Sequence, residues 1–398
     1  MSPQEWVGLA VRWAHLIAGI AWIGSSFYFI WLDAHLEPAD PARNEPDLEG
    51  SLWMVHSGGF YEVQRKKIGP GRMPKVLHWF KWEAMITGIT GCLLLGLVYY
   101  STRGLYLVDP SVLSISPLAA SLLGMGLLVV GWFVYDVLWQ TLGERAPRAA
   151  SIVSILLLAL VVVFATRTFS GRAAFIHVGA LLGIIMVVNV WVRILPAQSA
   201  MIRATDEGRT PDFSNSVRAK TRSVHNSYMT FPVLFVMISN HYPGTWGAPQ
   251  RALVLGLLIA IGVGARYLMI GKSPRKNWAL APMAAALVAV IALTRPVPLA
   301  AQGAPANASG PAPGYGEVQA VVLARCVACH ATTPRIPSFG AAPGGVNFEK
   351  PGELHRYARR IQERVVETRT MPLGNMTLMT EDERALLARW IAHGAKES

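Results

Sequence analysis

Residues 173–195 read AAFIHVGALLGIIMVVNVWVRIL. This stretch carries one charge, Arg193, and is longer than the roughly 20 apolar residues that a helix needs to cross a bilayer. A soluble helix of this length would show a polar face; here none interrupts the run. Seven further stretches share its character, at about 6–32, 77–100, 117–139, 149–166, 226–242, 251–270 and 278–296. The stretch at 226–242 is the weakest, being short and containing Pro232 and Asn240. The first is not expected to be a cleaved leader, because no basic segment precedes Trp6 and no small-residue cleavage site follows. The fold class expected is all-α, a polytopic bundle of eight transmembrane helices over residues 1–296.

Composition agrees. Apolar residues make up 52% of the 398 and charged residues only 15%, against about 25% charged in a soluble domain. That excludes a purely soluble chain and a disordered one. The formal net charge is +12, and its location explains it. The connections after the first, third, fifth and seventh spans hold sixteen Lys and Arg, among them Arg65, Lys66, Lys67, Arg145, Arg218, Arg222 and Lys276. The opposite connections hold four: Arg103, Arg167, Arg172 and Arg251. The basic side is expected to be cytoplasmic, with both termini outside and no nucleic-acid partner needed to account for the charge.

Past the last span the composition turns to Pro, Ala, Gly and Ser, as in RPVPLAAQGAPANASGPAP. Residues 297–313 are read as a linker and 314–398 as a small extracytoplasmic module. That module contains Cys326-Val-Ala-Cys329-His330. Two thiols one helical turn apart, followed at once by an imidazole, suit addition to the two vinyl groups of a haem, with His330 on the iron. A zinc half-site would need a second Cys or His pair nearby, and His355 and His393 lack that spacing. The expected cofactor is covalent haem c. Its sixth ligand is expected downstream, with Met371 in the sequence Met371-Pro372 as first candidate and Met376 and Met379 as competitors. Thr380 and Glu383 have the spacing of a capping box that opens a final helix.

Ionisable residues at membrane depth are functional candidates. His15 and His177 fall in the outer parts of the first and fifth spans; His78 and His225 fall at the starts of the second and sixth. The pattern suggests a duplicated four-helix unit. Facing histidines in a bundle can hold a b-type haem, so His15 with His177 are candidate iron ligands, and His78 with His225 either ligands or pocket residues. For each, the plain alternative is a hydrogen bond to a neighbouring helix. A second polar group, Asp33, Lys81, Glu83, Asp136, Asn189, Arg193 and Arg266, lies near the inner ends. Glu83 and Asp136 gain nothing from the positive-inside bias and are candidate bases; Arg193 and Arg266 are candidate anion holders. The long first loop has the alternation of a hairpin about Ser57-Gly58-Gly59, and lone Cys92 reads as packing.

WAHLIAGIAWIGSSFYFIWLD, SGGFYEVQRKK, HWFKWEAMITGITG and CVACH…TMPLGNMT…DERALLARWIAHGA together resemble the membrane-bound bacterial urate oxidases of the PuuD type, over essentially the whole chain. The resemblance implies an eight-span domain joined to a class I cytochrome c. It also implies oxidation of urate to 5-hydroxyisourate in purine breakdown, in the bacterial inner membrane, with electrons leaving through haem c to the respiratory chain rather than to oxygen. The first two spans are similar to the haem-binding part of HemJ-type protoporphyrinogen oxidases, which by position marks His15. Two other readings stay open: a non-enzymatic electron-transfer subunit and a HemJ-like porphyrinogen oxidase.

Overall fold

A computed structural model describes residues 3–39, 45–270, 275–295, 311–336, 339 and 341–397. The expected linker falls mostly on 296–310, outside the described residues. Helix α1 (Pro3–His35) is followed by a three-stranded antiparallel sheet, β1 (Glu37–Pro38), β2 (Leu48–His56) and β3 (Gly59–Lys66), in the order β1-β2-β3. The hairpin turns at Ser57 and Gly58, both with positive φ, the geometry that matches the twist of paired strands. It leans on α1 through Arg65 and Asp33, and through the Tyr28 hydroxyl, which is 3.7 Å from Met54 Sδ.

The bundle continues with α2 (Trp82–Leu95), extended by a wider π-helical turn at Gly96–Tyr100, then α3 (Pro117–Arg145) and α4 (Pro147–Thr168). Helix α5 (Gly171–Val188) passes through a second π-helical turn, Asn189–Ile194, into α6 (Leu195–Asp206). Then come α7 (Phe213–Ser239), the short α8 (Pro243–Trp246), α9 (Arg251–Ile270) and α10 (Leu280–Leu293). Local chemistry sets the breaks. Ser116 and Ser170 cap α3 and α5 by accepting from the backbone N–H three residues on, and Pro147 opens α4 where a missing N–H costs nothing.

Seven of these runs are long and apolar enough to cross a membrane; eight were expected. The difference is α7. Its 27 residues suffice in length, but it starts at Phe213 rather than near 226, and its first half carries Arg218, Lys220, Arg222 and His225. Helix α7 packs between α5 and α9 and turns Arg222, Ser227 and Thr230 inward, so its polar residues meet protein rather than lipid. The second span also starts later than expected, at Trp82 instead of 77. Its aromatic lead-in, residues 77–81, is irregular.

Helix α5 is the axis of the bundle: 67% of its apolar window is buried, against 11–22% in the other six candidate spans. Small residues permit this. A Cβ on Gly179 would lie 2.4 Å from Val236 Cγ1 of α7. The likeness between the two halves is not kept in detail. His78 precedes its helix, whereas His225 lies midway along α7.

Residues from Tyr315 onward build a second core. Helices α11 (Tyr315–Arg325), α12 (Glu353–Arg356), α13 (Ala358–Ile361) and α14 (Glu381–Ala392) enclose Val318, Leu354, Ile361, Val365, Leu387 and Trp390. Helix α14 opens on the expected capping box: Thr380 Oγ1 accepts from Glu383 N, and Glu383 Oε2 accepts from Thr380 N at 2.7 Å. This unit packs on the end of the bundle where α5 begins. Gly374 comes so close to the Val108 carbonyl that a Cβ would be 2.5 Å away, and Gly247 is similarly tight against Thr368 and Thr370.

Candidate functional site

Two cavities mark opposite ends of the bundle. The larger, about 1040 Å³, is lined by Cys326, Cys329 and His330 on one side and by Met371 and Pro372 among its other walls. Phe339, Val346, Phe348, Tyr357 and Ile361 supply apolar lining, and arginines, among them Arg172, Arg325, Arg360 and Arg364, share the wall. The Val346 carbonyl lies 3.1 Å from His330 Nδ1. Nδ1 therefore carries the proton and Nε2 keeps its lone pair, the state an iron ligand needs. Burial pushes His330 below the usual histidine range, against that hydrogen bond, which keeps the ring neutral. Burial also pushes the Cys326 thiol up to about 12 and raises Cys329. Among the described residues no three His, Cys, Asp or Glu side chains converge as a bare metal site. Two neutral thiols beside an oriented imidazole, in a slot of this size with a thioether in its wall, fit a covalently attached porphyrin. Of the competing methionines, Met376 is exposed and Met379 is buried in the core; neither lines the cavity.

The smaller cavity, about 360 Å³, lies toward the basic end. Trp22, Ser26 and Phe29 come from α1, and His78, Trp79 and Phe80 from the segment before α2. Met186 and Val190 come from the α5 run, Gln198 from α6, and Ser223, Asn226 and Thr230 from α7. Flat aromatic rings and amide and hydroxyl groups share one wall set, as in sites for small polar ring compounds.

Asn226 joins this cavity to a buried polar network. Its Nδ2 donates to the Met186 carbonyl, and its Oδ1 accepts from Asn189 at 3.0 Å. Asn189, fully buried in the π-helical turn, also donates to the Tyr135 hydroxyl, which is hydrogen-bonded to His225 Nδ1 at 2.8 Å. One residue along α3, Asp136 accepts from Arg193 Nε at 2.9 Å, from Arg193 Nη2, from Arg222 Nη2 at 3.0 Å and from Gln140. Both carboxylate oxygens are thereby occupied, so Asp136 holds two guanidinium groups together. Arg222 Nη1 remains buried without a hydrogen-bond partner.

The other expected residues are dispersed. Arg266 is 1% exposed, donates to Ser227 Oγ at 2.8 Å and stacks over Phe27 at 4.0 Å. Its Nη2 has no partner, and no carboxylate among the described residues is within ion-pair distance. Glu83 Oε2 is likewise buried without a partner. None of Glu83, Asp136, Arg193 and Arg266 lines the smaller cavity; His78 does. His15 Nδ1 is held by the Thr87 carbonyl at 3.0 Å and the Thr90 hydroxyl at 2.9 Å. His177 is engaged at both nitrogens, by the Ala173 carbonyl at 2.8 Å and the Tyr100 hydroxyl at 2.9 Å, with Phe169 stacked on its ring. Sequence reasoning passed over Ser26, Gln198, Ser223, Asn226 and Thr230. The π-helical turn that aims Asn189 and redirects the chain toward Gln198 has no local sequence signature.

A family model described as Urate oxidase N-terminal matches residues 2–295, the whole of the bundle. No curated protein and no solved structure matches the chain.

Proposed function

The chain belongs to the urate oxidase N-terminal family, and from that premise we propose that it is a membrane-bound oxidoreductase. In this reading it converts urate to 5-hydroxyisourate and passes the electrons through haem c to the respiratory chain. The observation that carries it is the pairing, in one chain, of an aromatic and amide-lined cavity inside the family's own region with a Cys-Cys-His-lined cavity docked on the same bundle.

Urate is a planar anion at neutral pH. Its oxidation adds the oxygen of one water at a ring carbon and releases two electrons and two protons. The rings of Trp22, Phe29 and Trp79 bound the space in which such a plane would lie, and Gln198, Ser223 and Asn226 offer donors to its carbonyl oxygens. Arg193 and Arg222 share a single carboxylate, and Arg266 faces none among the described residues. The inner half therefore carries excess positive potential, which draws in an anion. His78 is the titratable side chain in the cavity wall and is assigned the proton transfer from urate or water. At the other end, Cys326 and Cys329 would hold the porphyrin covalently, and His330 and Met371 would hold its iron. That group supplies one-electron acceptance when bound, and Met ligation favours a high potential. A b-type haem on His15 and His177 is not part of the proposal, since both His177 nitrogens already have partners.

The proposal places the basic end in the cytoplasm and the residue 314–398 module outside, in a bacterial inner membrane, with α7 as an eighth crossing. The test uses the full chain in lipid nanodiscs with urate and an oxidised soluble cytochrome. Two cytochromes should be reduced per urate consumed, without peroxide. Urate loss with one peroxide formed per urate and no cytochrome reduction would overturn the route.

A further inference from the structure

The wall of the larger cavity is not built by residues 314–398 alone. Tyr106, from the loop between α2 and α3, and Arg172, from the first turn of α5, also line it. Both are held in place by the bundle. The Tyr106 carbonyl accepts from Ser170 Oγ at 2.6 Å, and its neighbours Leu105 and Leu107 are almost wholly buried. Arg172 Nε donates to Asn240 Oδ1 at 3.0 Å, and its guanidinium lies 4.6 Å over the Tyr106 ring and 5.9 Å from that of Tyr99. No carboxylate among the described residues neutralises Arg172. The segment carrying Met371 is itself gripped by the bundle, with Gly374 against Val108 and Thr368 and Thr370 against Gly247.

We propose that Arg172 and Tyr106 complete the haem c site from the membrane domain, with Arg172 as a positioning residue that sets the cofactor's reduction potential. This rests on the haem c reading above. The physical basis is simple. The oxidised iron porphyrin carries one more positive charge than the reduced one. A fixed, half-buried guanidinium in the pocket wall, with no counter-ion, disfavours the oxidised form and holds the potential up. Because the guanidinium belongs to the bundle, the potential depends on docking: the module accepts electrons most readily when seated on its own membrane domain. Tyr106 contacts Tyr99 at 6.4 Å, and Tyr99 contacts His177 at 6.0 Å, so aromatic contact continues from this wall into the bundle core.

The test is a spectroelectrochemical titration of the covalently bound haem in the full chain, without substrate. In Arg172→Gln the ratio of reduced to oxidised haem at a given applied potential should fall about tenfold, which is about 59 mV for a one-electron couple. Arg172→Lys should retain most of the wild-type value, and Asn240→Ala, which frees the guanidinium, should lie between. Arg167→Gln, whose parent residue does not line the cavity, should change nothing. If Arg172→Gln fails to assemble, the ordering of Arg172→Lys, Asn240→Ala and wild type carries the test. Unchanged potentials across the assembled Arg172 and Asn240 variants overturn the inference. A wild-type chain with no covalent haem overturns the haem c reading instead.

Discussion

The two cavities are built in opposite ways. At the larger one, three lining residues come from one short motif, Cys326, Cys329 and His330, and Met371 follows in the same small domain. At the smaller one the lining comes from α1, the segment before α2, the α5–α6 run and α7, spread over some two hundred residues. A site written in one short motif can be read without the fold. A site assembled from distant helices exists only once their packing is known.

The largest effect that bears on this contrast is expected from Cys326→Ala combined with Cys329→Ala. Haem staining of the denatured protein should disappear completely, and urate-dependent reduction of an external cytochrome should fall to background. Urate affinity, measured by equilibrium binding, should be unaltered, because no residue of that motif reaches the other end. If affinity fell in parallel, the two sites would not be separable in the way described.

Next in size is Asp136→Leu. Asp136, its side chain 4% exposed, is the one carboxylate shared by the buried Arg222 and the partly exposed Arg193, and removing it leaves a buried guanidinium unpaired. The expected cost is about 3–5 kcal/mol, read as a lowered unfolding temperature of the detergent-solubilised chain. The double variant Asp136→Leu with Arg222→Leu should recover part of it. Unchanged stability in the single variant would mean that Asp136 is a free base rather than a tie between helices.

A smaller, site-specific loss is expected from Asn226→Leu. The side chain lines the inner cavity and also satisfies the Met186 carbonyl and Asn189. Losing the hydrogen bond that Asn226 would offer the anion costs about 1.5–3 kcal/mol, so kcat/KM for urate should fall on the order of ten- to a hundredfold. The haem absorption spectrum should stay as in wild type. A drop in haem content instead would tie Asn226 to overall assembly.

The helical class and seven spans were legible because hydropathy over some twenty residues depends on composition alone. Helix α7 was half legible: residues 226–242 read as a short span, but the polar stretch from Arg218 to His225 did not, since only its place between α5 and α9 makes it tolerable. The hairpin and the Thr380–Glu383 cap were legible because short-range backbone chemistry sets them. Asp136, Arg193 and Arg266 stand out in the sequence as charges near the inner span ends, yet that position does not say what a charge faces. Asp136 turned out to face two arginines, and none of the three lines the cavity. Gln198 and Asn226 carry no charge and no motif, so nothing in their immediate neighbours marks them.

The smallest expected effect concerns that legible cap. Thr380→Ala removes the acceptor for Glu383 N and should cost about 1 kcal/mol, read as faster amide exchange across Glu381–Ala392 in the full chain. Glu383 adds a pH dependence. Burial pushes its carboxyl up, but hydrogen bonds from Arg325 and Thr380, with the Arg325 charge, outweigh this and leave it below the usual glutamate range. The folded module therefore binds fewer protons than the unfolded chain near the ordinary glutamate pKa of ~4.3. Stability from this tie is fully present above that value and is lost as pH falls through the depressed one. Glu383→Gln should flatten the acid limb of exchange protection in α14 and leave the neutral-pH urate activity unchanged, since neither Glu383 nor Thr380 lines either cavity. An acid limb of wild-type steepness in Glu383→Gln would shift the dependence to another carboxylate of the same small domain.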